Sequence, residues 1–120
     1  MNGLVDEFGR AVVQLTIRTG GDGESVEIPA WVDTAFNGEL IIPQPMIDAI
    51  GLEQSGGIRA RLADGNHVVL ESYACELDWF AERRSVEVVA NDGQLPLLGV
   101  ALLIGHRLTI DYTDLTLSIE

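Results

Sequence analysis

The feature that most constrains this chain is a two-residue hydrophobic period, broken every few residues by Gly, Asp or Asn. Val13, Leu15 and Ile17 alternate with Gln14, Thr16 and Arg18, giving one apolar and one polar face. Residues 19–24 read as a turn, after which Val26, Ile28, Ala30 and Val32 alternate with Glu27, Pro29 and Trp31. The two segments predict a hairpin that delivers the chain to Asp33. Residues 33–38 are too polar and Gly-punctuated to continue the strand, and Leu40, Ile41 and Ile42 then form the unbroken apolar run of a buried strand. Ile58, Ala60 and Leu62 alternate with Arg59 and Arg61 before a tight turn at Asp64-Gly65-Asn66 and a return strand over 67–77. Residues 58–77 are therefore expected to protrude as a hairpin. Strands over 86–90 and 95–98 and a final hairpin of 107–112 with 115–119 complete the set. Only two short helical pieces are expected. One starts at Pro45, presents Met46, Ile47, Ala49 and Ile50, and stops at Gly51; the other is a turn over 100–104. The pattern is all-β, a barrel or sandwich, in a single domain over 1–120.

Composition removes several function classes. The 120 residues are 47% hydrophobic and 22% charged, as in a folded domain rather than a disordered one. All seven basic residues are arginine, and against 19 acids they leave a formal charge of −12. Such a surface repels phosphate backbones and anionic lipid, so neither nucleic acid nor membrane is an expected partner. Without lysine there is no Walker phosphate loop, Schiff-base chemistry or Ser-Lys dyad. The longest apolar segment, 95–104, is interrupted by Pro96 and Gly99, and residues 1–7 lack a basic-then-apolar leader, so a cytoplasmic protein is expected. Cys75 is the sole cysteine and is expected to be a buried structural thiol. His67 and His106 lie far apart, each without a nearby second soft ligand, so no metal or other cofactor is expected.

Three features can carry chemistry. The strand Ala30-Trp31-Val32 ends in Asp33-Thr34-Ala35, which places a carboxylate at a turn, rigid and partly desolvated. Alone, this also describes an ordinary turn aspartate. The Asp64-Gly65-Asn66 tip is suited to a lid and equally to a plain hairpin turn. Leu97-Leu98-Gly99 is an apolar strand whose glycine permits close backbone approach, and it too fits a structural turn.

Their order and spacing resemble the retropepsin-like aspartic proteases, specifically the small bacterial members, over residues 12–112. Trp31-Val32-Asp33-Thr34-Ala35 with the following Leu40 and Pro43 is similar to the family's Val-Asp-Thr-Gly strand. Residues 61–66 are similar to its flap, and Leu97-Leu98-Gly99 to its apolar-apolar-Gly motif. Ala35 stands where the family usually has glycine. The resemblance implies a closed acid-protease barrel with one or two short helices. It makes Asp33 the catalytic carboxylate, Thr34 the residue that grips the partner subunit, and Ala35 their neighbour in the active-site loop. Asp64 and Gly65 would belong to the substrate-covering flap, with Leu97, Leu98 and Gly99 supporting the loop and bordering the substrate. Two carboxylates are needed to share the proton traffic of peptide hydrolysis, and the chain has one such motif. A homodimer acting on a peptide or protein substrate follows. Two alternatives stand beside this endopeptidase: a catalytically silent peptide- or protein-binding module of the same fold, and a structural β-barrel unrelated to proteases.

Overall fold

The computed structural model describes residues 1–19, 24–61 and 63–120. Residues 20–23 of the turn expected over 19–24 and the strand residue Leu62 lie outside them, as does the facing of Ile58, Arg59 and Ala60. Among the described residues there are ten strands: β1 (Asn2–Val5), β2 (Ala11–Arg18), β3 (Ser25–Val32), β4 (Leu40–Pro43), β5 (Glu53–Arg61), β6 (His67–Trp79), β7 (Glu82–Asn91), β8 (Leu97–Leu98), β9 (Leu108–Asp111) and β10 (Thr116–Ile119). The helices are α1 (Gln44–Ile50) and α2 (Val100–Leu103). One sheet takes all ten strands in the order β5-β6-β7-β4-β8-β3-β2-β1-β10-β9, with a further pairing of β2 to β6.

The two-residue period becomes burial directly. In the β2–β3 hairpin Val13 pairs with Ala30 and Leu15 with Ile28, and all four are buried, while Gln14, opposite Pro29, is exposed. The core also collects Val5, Leu40, Ile42, Leu77, Val88, Leu98, Leu102, Leu117 and Ile119. Helix α1 ends as its glycine requires. Gly51 sits at φ +81 and its N–H bonds the carbonyl of Ile47 at 2.8 Å. Its apolar face is narrower than the sequence suggests: Ile47 is buried, Met46 and Ile50 pack against the core, and Ala49 faces solvent.

Three elements differ from the sequence-based expectation. Strand β1 is too short to display a period, and it is held by pairing with β2 and β10. Strand β5 starts at Glu53 rather than Ile58; the Gly56-Gly57 pair hides a strand whose register shifts between Gln54 and Gly56. Strands β6 and β7 run longer than expected because their turn, Phe80-Ala81, carries no Gly or Asn. Phe80 occupies the left-handed region at φ +57, its ring stacked 4.5 Å from His106. Trp79 Nε1–H donates to His106 Nε2 (3.3 Å), so Nδ1 carries the proton it gives to the Glu120 carbonyl at 3.1 Å.

Two consequences are measurable. Cys75 is buried, and burial, with smaller contributions from Glu39 and Glu76, pushes its thiol up to about 12. A thiol reagent at mildly alkaline pH is expected to modify the native protein about a thousandfold more slowly than the urea-unfolded chain. At the β2–β6 pairing, Arg18 grips Asp78 with two bonds, Nε to Oδ1 at 3.1 Å and Nη2 to Oδ2 at 3.0 Å. Hydrogen bonding to that guanidinium holds the Asp78 carboxyl below its ordinary value. A depressed folded-state value stabilises the native form above the unfolded carboxylate range, and this is lost as pH falls through the folded value. Asp78→Asn is therefore expected to lower the neutral-pH melting temperature and to narrow its difference from wild type in acid.

No helix among the described residues is long and apolar enough to cross a membrane.

Candidate active site

The site grows from the way β8 threads between β3 and β4. Trp31 and Val32 of β3 pair in parallel with Leu97 and Leu98, while Leu40 and Ile41 of β4 pair antiparallel with the same two residues. The backbone just beyond is locked as tightly. Trp31 N–H donates to the Pro96 carbonyl at 2.8 Å, and Asp33 N–H to the Leu98 carbonyl at 2.9 Å. The chain then turns on its own aspartate: Oδ1 of Asp33 accepts the Ala35 N–H at 2.9 Å and its carbonyl accepts Phe36 N–H at 3.2 Å.

The loop is fastened from behind by α2. That helix has no side-chain cap. Loop carbonyls serve instead, with Val100 N–H bonding Phe36 (2.8 Å), Ala101 N–H bonding Gly38 (3.2 Å) and Gly99 N–H bonding Glu39 (2.8 Å). The approach is so close that a Cβ at Gly99 would collide with the Gly38 carbonyl and the Phe36 ring. A Cβ at Gly38 would strike the same ring. Phe36 thus plugs the space between two obligatory glycines.

This framework leaves Asp33 half-buried, with Thr34 and Ala35 exposed beside it. A cavity of ≈ 300 Å³ opens over them, walled by Trp31, Val32, Asp33, Thr34, Ala35 and Leu97. Among the described residues the Asp33 carboxylate receives one hydrogen bond, from Ala35, and no second carboxylate lines the cavity. One such group can accept a proton from water, but the site of a single chain offers no partner acid to protonate a carbonyl.

The structure gathers Asp33, Thr34, Ala35 and Leu97 at one cavity and sets Leu98 and Gly99 beneath it, buried, as supports rather than walls. Asp64 and Gly65 do not line it. They form the tip of the β5–β6 hairpin, where Asp64 accepts the Asn66 N–H and its side-chain amide, both at 2.9 Å, and Gly65 adopts φ +89. Asp111, the last residue of β9, is spent on its turn, accepting Thr113 and Asp114 N–H groups at 2.8 and 3.0 Å. The wall residue Trp31 was not anticipated as part of the site. Its signal is a large aromatic on the polar side of the β3 alternation.

No protein-family model matches the chain, and no curated protein matches it either. Solved structures do. The retropepsin-like aspartic protease from Rickettsia conorii superposes with a TM-score of 0.63 at 16% identity, covering 98% of this chain and 88% of that one. This chain has a retropepsin-like fold. The EIAV protease complexed with the inhibitor HBY-793 aligns at a TM-score of 0.55 and 15% identity, over 80% of this chain and 86% of that one. In the retropepsin-like fold of this chain the Asp33 loop is held by backbone bonds from β8 and α2, and its close contacts with Gly38 and Gly99 leave no room for larger side chains there.

Proposed function

We propose that the chain is an aspartic endopeptidase whose site is completed by a second copy, the two Asp33 carboxylates meeting across a two-fold axis. One observation carries this reading. A retropepsin-like framework presents a rigidly held carboxylate in an apolar-walled cavity, beside an exposed Thr34-Ala35 edge that another chain is able to cover. In the reaction, ionised Asp33 takes a proton from water as its oxygen attacks the scissile carbonyl. The protonated partner's Asp33 gives its proton to the carbonyl oxygen, forming a neutral gem-diol. Collapse of that intermediate returns one proton to a carboxylate and transfers another to the leaving amine. Water and two carboxylates suffice, with no metal or cofactor.

Thr34 supplies the hydroxyl that reaches the opposite loop. The β5–β6 hairpin, with Asp64 and Gly65 at its tip, would lie over an extended peptide bound as an added strand. The β2–β6 pairing, which returns the sheet upon itself, supports a closed barrel for the strands β6-β7-β4-β8-β3-β2. The Ala35 methyl at the cavity wall favours a second reading, a silent peptide-binding module. The discriminating experiment incubates the protein with a peptide library from acid to neutral pH. Cleavage is expected from wild type and not from Asp33→Asn; binding without cleavage at any pH would establish the second reading instead.

A further inference from the structure

The cross-strand registers place three turns side by side. Val12 lies opposite both Trp31 and Leu4, Leu4 lies opposite Thr116, and Thr116 lies opposite Asp111. Strands β3, β2, β1, β10 and β9 therefore finish along one rim, about 20 Å across five strands. The Asp33 loop, the 6–10 turn and the 112–115 turn share that rim. It is apolar where the rest of a chain of charge −12 is expected to be charged: Phe8 is 74% exposed, Tyr112 64% and Leu115 49%.

Two of the rim's acids, Asp6 and Asp111, are engaged by their own turns. Asp6 accepts the N–H groups of Phe8 and Arg10, both at 2.9 Å, and pairs with Arg10 Nε at 2.7 Å. Asp111 is consumed by its own turn in the same way. Arg10 in turn lies 5.1 Å from the Phe8 ring and 5.8 Å from that of Trp31, which ties the rim to the wall of the Asp33 cavity. Glu7 and Asp114 remain as exposed rim carboxylates.

We infer that this rim, through Phe8, Tyr112 and Leu115, is the surface on which a second copy of the chain docks. The inference rests on the shared Asp33 site proposed above, and it follows from geometry. Thr34 and Ala35 are small, whereas a stable interface buries about 1,200–2,000 Å² in total, so surface flanking the loop must contribute. Exchange of terminal strands is not open to β1. Both of its edges are paired, to β2 and β10, and Met1 and Ile119 exchange bonds at 2.9 and 2.8 Å. The other exposed apolar pair, Phe80 and Ile104, belongs to the far end of the sheet, where His106 and Arg107 bond Glu120. A two-fold axis there would hold the two Asp33 groups apart.

Sedimentation equilibrium of the full chain tests this. Phe8→Asp, Tyr112→Asp and Leu115→Asp are each expected to weaken dimerisation about tenfold or more, with unchanged circular dichroism. Ile104→Asp should dimerise like wild type. Raising the ionic strength should tighten the wild-type dimer, because two chains of −12 repel. The three substitutions lie on two separate turns, so misfolding of one variant leaves the other turn to report. Rim variants that dimerise like wild type, in a protein that cleaves peptides and loses cleavage with Asp33→Asn, overturn the docking surface and spare the shared site. A wild type that stays monomeric at every concentration overturns both.

Discussion

Replacing Asp33 with asparagine is expected to slow peptide cleavage by about a thousandfold or more while leaving fold and dimerisation intact. The amide is nearly isosteric with the carboxylate. Its oxygen still accepts the Ala35 N–H that Asp33 Oδ1 accepts now at 2.9 Å, so the loop keeps its internal turn. The backbone bonds of Asp33 to Leu98 and Phe36 involve no side chain and are untouched. What disappears is the group that exchanges a proton. A mixing experiment makes this sharper than a single inactive variant does. If the site takes one Asp33 from each copy, a dimer of wild type with Asp33→Asn is inactive too. Equal amounts, allowed to exchange subunits at fixed total protein, should then retain about a quarter of the wild-type activity rather than half. Activity proportional to the wild-type fraction would mean that each chain works alone, and the shared dyad would have to be abandoned.

The legible and illegible parts of this protein divide along physical lines. Alternation identifies β2 and β3 because one face of each meets the core and the other meets water; Val13, Leu15, Ile17, Ile28, Ala30 and Val32 are all buried. Strands whose identity lies in their neighbours are hidden. Asn2–Val5 is a strand because β10 and β2 flank it, and Glu53–Gly57 because β6 carries it through a glycine irregularity. At the site, Asp33 and the Leu97-Leu98-Gly99 strand are marked by local residue type, a polar turn and a Gly at the end of apolar runs. Their juxtaposition, and the sorting of Leu97 to the cavity wall and of Leu98 and Gly99 to its floor, depend on a parallel pairing between residues more than sixty positions apart. Phe36 illustrates the difference. In the sequence it is one bulky apolar residue within the polar, Gly-punctuated stretch 33–38. In the fold its ring occupies the space that the missing side chains of Gly38 and Gly99 leave open.

That arrangement makes Gly99→Ala the substitution with the largest expected effect on stability, about 3 kcal/mol, in the upper part of the range for overpacked cores. The cause is steric rather than conformational. Gly99 has φ −95 and ψ 172, a backbone that alanine adopts freely. Its new methyl would meet the Gly38 carbonyl, which is itself bonded to Ala101 N–H at 3.2 Å and cannot retreat without unfastening α2 from the Asp33 loop. Gly105→Ala offers the opposite case. Nothing lies within 4 Å of its added Cβ, but φ is +87, so only backbone strain of about 1 kcal/mol is expected. Urea unfolding of the two variants separates the mechanisms. Adding Phe36→Ala to Gly99→Ala removes the contact with the ring and not the contact with the carbonyl, so it should restore little. Full recovery in that double variant would show that Gly99 is required by the ring alone and that the loop carbonyl has room to move. Because Leu98 holds the Asp33 N–H, a displaced β8 also carries the carboxylate away from the place that the proposed dyad needs. Gly99→Ala protein that remains folded at low temperature should therefore cleave peptides at a fraction of the wild-type rate, through misplacement of a carboxylate whose chemistry is unaltered.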